Sequence, residues 1–513
     1  MKKASFIPGV LFNAYPDSLG GSLSEAVKLL ERPALRGAFS GFYILPSLFH
    51  HDLDRGFSVI DYGLNEALAA SEDLERLKAD GISLLLDFVL NHASVNSPQF
   101  RDLLEKGDGS SFRDLFIDWN RFWDGCGRMT EEGYILPDEA FIKDMFFRKP
   151  GLPLLMVRFP DGREVPFWNT FYQEVMENAD GSRGYRGQMD LNIRSPLYRD
   201  FCRNTLRTLR DYGASVLRLD AFAYAHKTPG EKNFLNEPGT WELLDDISAL
   251  AEPLGLTLLP EVHASYGEGV YALLGEKGYP VYDFFLPGLL LDAFETRSGE
   301  ALAAWANEIV RSGLRTVNML GCHDGIPLLD LKGLLPEARI QSVIDAVVSR
   351  GGIVKDLHGQ QNVYYQVNAT YFSALGADEK RLTLARAAQL FMPGTPQVWY
   401  LDLFAGENDI EAVRRGGSGA HKEINRTNLS ASEAETRLGW NAVRKQLTLL
   451  RFRNSCPVFS ENASVSAEAS GSRLALRWEA ECGEAELDAD LADASFTCRA
   501  EWSGGGNFRF SQI

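Results

Sequence analysis

Eight short runs of apolar, β-favouring residues alternate with helical stretches along most of the chain. They are GVLFNAYP, GFYILP, ISLLLDFVLNH, SVLRLDAFAY, LTLLPEVHA, YPVYDFFLP, RTVNMLGCHD and TPQVWYLDLF. Between them lie segments such as SLSEAVKLLERPAL and LYRDFCRNTLRTLRDYG, whose apolar residues recur three and four apart, the spacing of an amphipathic helix. The runs are nearly continuous in Val, Ile, Leu and Phe, as expected of parallel strands covered on both faces. Eight successive strand–helix units predict an α/β fold, a (β/α)₈ TIM barrel.

The units are unevenly spaced. A long stretch separates the third run (near 83–90) from the fourth (near 215–220), so a subdomain is inserted there, and a second long gap follows the seventh run. Past about 455, SVSAEAS, RLALRWEA, EAELDAD and SFTCRAEW alternate apolar with polar residues, the period-two pattern of a small antiparallel β domain. The expected division is barrel over 1–92, inserted domain B over 93–200, barrel over 201–325, an insertion after strand 7 over 326–380, barrel over 381–454 and a C-terminal β domain over 455–513.

A chain of 513 residues is too long for one simple core, which suits a barrel with insertions. Its formal net charge of −18 repels nucleic acid and anionic membrane surfaces, so neither is an expected partner. No run of about 20 apolar residues is present to span a membrane. The start, MKKASFIPGVLFNAYPDSLGG, lacks a convincing cleavage site and reads as mature sequence. The six cysteines are scattered without metal-ligand spacing, as for reduced thiols in a cytoplasmic protein. No nucleotide fingerprint, zinc spacing or EF-hand loop occurs, so no cofactor or metal is expected.

In a barrel enzyme the working groups sit where strands end. The third strand ends in Asp87-Phe88-Val89-Leu90-Asn91-His92, the fourth in Arg218-Leu219-Asp220-Ala221, the fifth in Pro260-Glu261-Val262-His263 and the seventh in Cys322-His323-Asp324. A lone Asp at a strand end is most often a cap or turn residue; the case rests on three acids, Asp220, Glu261 and Asp324, at the ends of strands in one barrel. Glycosidic bond cleavage needs such a set: one carboxylate to attack the anomeric carbon, one acid to protonate the leaving oxygen, and negative charge near the oxocarbenium-like transition state. Adjacent strands lie about 4.8 Å apart and retaining enzymes keep their two carboxyl groups about 5–5.5 Å apart. Asp220 and Glu261 on neighbouring strands therefore favour double displacement. Arg218 shares the side-chain parity of Asp220 and is placed to hold it ionised.

These motifs in this order resemble glycoside hydrolase family 13, the α-amylase superfamily: DFVLNH its first conserved region, VLRLDA its second, LLPEVH its third and LGCHD its fourth. The resemblance implies Asp220 as nucleophile, Glu261 as general acid/base and Asp324 as transition-state stabiliser, with His92, His323 and Arg218 around the bound sugar. Further segments over nearly the whole chain resemble its sucrose phosphorylase branch: AYPDSLGG, Asp54-Arg55-Gly56-Phe57, QMDLN, YDFFLPGLLLDAF, CHDGIPLLDLKGLLP, YYQVNATYFSALG, AGENDIEAVRR and EINRTNL. By that likeness Asp54 and Arg426 bind sugar hydroxyls, Phe57 and Tyr224 wall the ring, and Gln188, His263, Tyr365 and Gln366 complete the substrate-binding set. Phosphate replaces water in this branch and releases α-glucose 1-phosphate with retention. Arg148-Lys149 lies where the branch keeps an arginine in a domain B loop, with Lys149 the closest match.

Two departures fall on the acceptor side. Sucrose-specific members carry Asn-Leu-Asp-Leu-Tyr-Gln where this chain has Asn362-Val363-Tyr364-Tyr365-Gln366, so Val363 stands in place of the acid that meets the fructosyl ring. The domain B loop reads Phe146-Phe147-Arg148-Lys149 instead of tyrosine-arginine-proline-arginine, and the second loop lacks a histidine where the sucrose-phosphate enzymes have one. Glycerol or another small polyol therefore stands beside fructose as leaving group, and glucosylglycerol is expected to be cleaved at least as well as sucrose. The expected function is a retaining α-glucoside phosphorylase acting on a small α-glucoside and inorganic phosphate, as a monomer or homodimer. The alternatives are a family 13 hydrolase or transglucosidase and, ranked last because all three acids are present, a non-catalytic sugar-binding barrel.

Overall fold

The structure, a computed structural model, describes residues 9–149, 151–177, 183–356, 364–417 and 419–513. Its central sheet consists of β1 (Leu11–Ala14), β2 (Gly41–Ile44), β3 (Ser83–Val89), β4 (Ala214–Asp220), β5 (Thr257–Pro260), β6 (Val281–Asp283), β7 (Thr316–Met319) and β8 (Thr395–Trp399). All eight coincide with the apolar runs of the sequence. The strand order is β5-β4-β3-β2-β1-β8-β7-β6, so every strand lies beside its sequence neighbour and the sheet is a nearly closed parallel barrel. Every residue of β1, β2, β7 and β8 is buried, which is why these runs lack the alternation of a one-faced sheet.

The helix Pro196–Asp211 shows the outer layer. Ser195 caps it by accepting from Leu197 N–H, proline occupies its first turn, and it buries Tyr198, Cys202, Thr205, Leu206 and Leu209, one stripe of a 3.6-residue period. Among the described residues, no helix is long and apolar enough to cross a membrane. All six cysteines are free thiols.

The chain divides into two compact units: one comprises Glu72–Leu84, His263–Ile513 and the stretch up to Ile44, the other Leu45–Ser71 and Leu85–Val262. The first ends in a five-stranded antiparallel meander over Ser464–Gln512, whose strand Arg473–Ala480 alternates exposed and buried positions. Trp478 Nε1 donates to Phe391 O at 2.7 Å and fastens this sheet to the helix Glu379–Phe391. The second unit carries, between β3 and β4, a hairpin of Leu154–Arg158 with Glu164–Trp168 and a sheet of His92–Ser94, Gln173–Glu177 and Arg183–Asp190. Trp119, Trp123 and Trp168 are its fully buried centre, with Ile117 and Ile135.

Candidate active site

In the second unit, β4 and β5 run parallel with Leu219 level with Pro260. Glu261 N–H donates to Leu219 O at 3.2 Å, so Asp220 and Glu261 leave neighbouring strands at the same height. Ala221 turns sharply, with a left-handed φ of 54° that is uncommon for a residue with a Cβ. Arg218 is the hub: Nη1 lies 2.6 Å from Asp87 Oδ1 and 2.9 Å from Asp220 Oδ1, and Nη2 lies 3.3 Å from Glu261 Oε1. One guanidinium thus spans the ends of β3, β4 and β5, using the fork that lysine lacks.

Arg218 favours the ionised form of Asp220 through its charge and its hydrogen bond, but it does not act alone. Burial is the largest influence and pushes the Asp220 carboxyl up to about 7; Arg218 opposes it, while Glu261 and Asp87 add to it. Arg218 divides its charge among Asp87, Asp220 and Glu261. The Asp220 carboxyl therefore binds a proton more tightly than an ordinary carboxylate does. Two carboxyl groups on neighbouring strand ends, one to attack and one to protonate, are what double displacement requires.

The sugar-facing candidates of this unit are assembled around the same strand ends. His92 is buried and its pKa is lowered, chiefly by desolvation, so the ring is neutral. Its Nε2–H donates to Phe57 O at 2.9 Å, and Gln188 Nε2 donates to the same carbonyl at 3.2 Å. The Phe57 ring is buried, with the Arg218 guanidinium 5.5 Å from its centroid. The preceding loop is strained: Asp54 and Arg55 have φ of 47° and 48°. At Gly56 (φ 114°) a Cβ would sit 2.1 Å from Ser47 N, so only glycine lets this loop pass.

Arg148 and Lys149 diverge. Arg148 Nη1 donates to Tyr224 Oη at 3.2 Å, and its guanidinium lies 5.0 Å and 5.4 Å from the ring centroids of Phe171 and Tyr224. Lys149 turns the other way and gives its ammonium to Asn169 Oδ1. Burial lowers the Lys149 pKa to about 8. Behind them lies an ion pair the sequence did not disclose: Lys227 Nζ is 2.8 Å from Asp190 Oδ2, both side chains being almost wholly buried. Lys227 also donates to Asn91 Oδ1 and Tyr224 O at 3.0 and 2.6 Å.

In the first unit Asp324 is held well below the usual carboxylate range. Burial works against this, and the cations Lys422, His323 and Arg426 outweigh it. Lys422 Nζ pairs directly with Asp324 Oδ1, and His323 Nε2 lies 3.4 Å from Asp324 Oδ2. Arg426 Nε donates to His323 O at 2.8 Å and Asn425 Nδ2 to Asp324 O at 3.1 Å, which fixes the turn after β7. His263 stacks on Phe284 at 4.0 Å between centroids and meets Asp330 at 3.4 Å. Gln366 is buried beside Asn368, donating to its Oδ1 at 3.4 Å. Val363 lies outside the described residues, as do the side chains of Tyr364 and Tyr365.

Sequence reasoning missed Asp87, Asn91, Asp190, Lys227 and Lys422. Asp87, Asn91 and Asp190 stood inside quoted motifs, DFVLNH and QMDLN, without a role. Lys227 and Lys422 stood in none; burial against Asp190 marks the first and the ion pair with Asp324 marks the second.

No family model matches the chain. A sucrose 6(F)-phosphate phosphorylase of Ilumatobacter coccineus is 53% identical over 511 residues, covering 98% of this chain and 97% of its own. A glucosylglycerol phosphorylase of Marinobacter adhaerens is 31% identical, covering 90% of each chain. The crystal structure of sucrose 6F-phosphate phosphorylase from Thermoanaerobacter thermosaccharolyticum superposes with a TM-score of 0.88 at 33% identity, over 99% of this chain and 98% of that one. With a parallel barrel, three strand-end acids and likeness along the full length, the chain belongs to the sucrose phosphorylase branch of glycoside hydrolase family 13, phosphorylases of sucrose-like glucosides.

Proposed function

We propose that this enzyme phosphorolyses sucrose 6F-phosphate to α-glucose 1-phosphate and fructose 6-phosphate. The observation that carries the substrate is the 53% identity over 98% of the chain to a sucrose 6(F)-phosphate phosphorylase, against 31% to a glucosylglycerol phosphorylase. This replaces the expectation of glucosylglycerol, which leaned on two loop positions, Val363 and Tyr364, of which Val363 and the Tyr364 side chain lie outside the described residues.

The chemistry follows from the paired acids. The Asp220 carboxylate attacks C1 of the glucosyl group while Glu261 donates its proton to the departing fructosyl oxygen; the C1–O bond breaks and a β-glucosyl ester forms on Asp220. A phosphate oxygen then attacks C1, Glu261 takes back a proton, and the ester bond to Asp220 breaks, giving the α-phosphate by two inversions. The Arg218 guanidinium, shared by both carboxyl groups, supports these roles. Asp324 takes the role of transition-state stabiliser, supported by the cations that keep it ionised. Arg148, beside Tyr224 and Phe171, takes the attacking phosphate, since a planar guanidinium suits a phosphate dianion.

The test is kcat/KM for sucrose 6F-phosphate, sucrose, glucosylglycerol and glucosylglycerate at saturating phosphate, with glucose 1-phosphate as product. A lead for sucrose 6F-phosphate is expected. A lead for any other donor overturns the substrate, and free glucose formed equally fast without phosphate overturns phosphorolysis.

A further inference from the structure

We infer that Lys149 and Asn169 are positioning residues that fasten the phosphate loop, and that Lys149 is not itself a phosphate ligand. The inference rests on Arg148 receiving phosphate, as proposed above.

Asn169 is fully buried and its amide is committed at both ends. Nδ2 donates to Tyr172 O at 2.8 Å and Gln188 O at 2.9 Å, and Oδ1 accepts the Lys149 ammonium. The loop residue after Arg148 is thereby tied to the strand that carries Gln188. The next residue is held as firmly: Thr170 N–H and Oγ1–H donate to Asp190 at 2.7 and 2.6 Å. Asp190 is in turn bound by Lys227 at 2.8 Å and by Asn91 Nδ2 at 3.0 Å.

Phe171 follows, with its ring 4.9 Å from His92 and 5.5 Å from Tyr224. The Arg148 guanidinium lies 5.0 Å from the Phe171 centroid. Three consecutive residues therefore hold Lys149, the buried ion pair and the platform under Arg148. Phosphate has to compete with the buried Asn169 amide for the Lys149 ammonium. A side chain spent on a buried amide orders its neighbour, and ordering of this kind decides catalytic geometry.

The experiment measures phosphate KM for glucose 1-phosphate formation from α-glucosyl fluoride, a donor that needs no sugar leaving group. Arg148→Met should raise it strongly; if it does not, the loop is not the phosphate site and the reading beneath this inference fails. Given that rise, Lys149→Met and Asn169→Ala should each raise phosphate KM about tenfold, the effect of losing one hydrogen bond. Both should change it more than kcat, and the double variant should be no worse than either single. Additive increases, or no increase, overturn the inference. Lys149→Gln decides independently should Asn169→Ala not fold. It keeps an amide donor toward Asn169 without a charge, so recovery of phosphate KM relative to Lys149→Met supports a fastening role. A defect equal to that of Lys149→Met shows that the charge itself meets phosphate and overturns it.

Discussion

Arg218 Nη1 sits 2.9 Å from Asp220 Oδ1 while the same nitrogen holds Asp87 at 2.6 Å. The nucleophile candidate is thus oriented by a cation that is itself anchored on the neighbouring strand. Arg218→Lys keeps the charge but cannot span Asp87, Asp220 and Glu261 together. It should lower kcat/KM by about 10²-fold, comparable to losing one donor that stabilises developing charge. Steady-state kinetics on a variant with unchanged circular dichroism checks this; near-native turnover would show that the fork is dispensable.

Asp220→Asn should remove turnover by at least about 10³-fold, as loss of a nucleophile does. Glu261→Gln should spare α-glucosyl fluoride, whose leaving group needs no proton, far more than a sugar donor. If both variants lost the two donors equally, the division of roles between nucleophile and acid would be wrong.

The raised Asp220 pKa has a consequence for stability, with a definite sign. Its folded value is about 7 against a reference of 3.8, so the folded state binds the proton more tightly. The associated stabilisation is fully present below about pH 4 and lost as pH rises through about 7. Asp220→Asn should therefore gain in Tm relative to the parent as pH is raised across that window, even as activity disappears. Glu261→Gln removes one of the charges that raise Asp220 and should shift the loss to lower pH. A Tm difference that stayed constant with pH would contradict the assignment.

The fold was legible because strands covered on both faces read as unbroken apolar runs, and eight of them admit few arrangements. Asp220 and Glu261 were legible for a related reason, since both end strands adjacent in sequence order. Asp87 was not, although it stands in a quoted motif: its partner Arg218 lies 131 positions away, and sequence does not give the register of one strand against the next. Lys149 was placed with phosphate because a cation beside Arg148 looks alike from sequence whichever way it points. Its partner Asn169, 20 residues on, belongs to a strand end of the inserted segment that carries no motif.

The buried Asp190–Lys227 pair offers a test of what holds the second unit together. Both groups are taken out of water, and each has further partners in Thr170, Asn91 and Tyr224. Removing one partner strands the other charge, which costs about 3–5 kcal/mol. Lys227→Met should lower stability by that order in denaturant unfolding. Asp190→Asn combined with Lys227→Met should be less damaging than the sum of the single changes. Simple additivity would mean that the ion pair is not the interaction being lost.

Asp324 and Lys422 make the opposite prediction to Asp220. The Asp324 pKa is depressed, since its neighbouring cations outweigh burial, so its contribution to stability is present above about pH 4 and lost as pH falls through the depressed value. Lys422 is the largest of those cations, and it pairs directly with the carboxylate. Lys422→Met should lower Tm at neutral pH, and the difference from the parent should shrink on acidification as Asp324 is protonated in both proteins. In activity, Lys422→Met should reduce kcat more than it changes donor KM, because a carboxylate whose charge is less secure serves the transition state less than the ground state. Equal Tm for the two proteins at neutral pH would show that Arg426 and His323 alone keep Asp324 ionised.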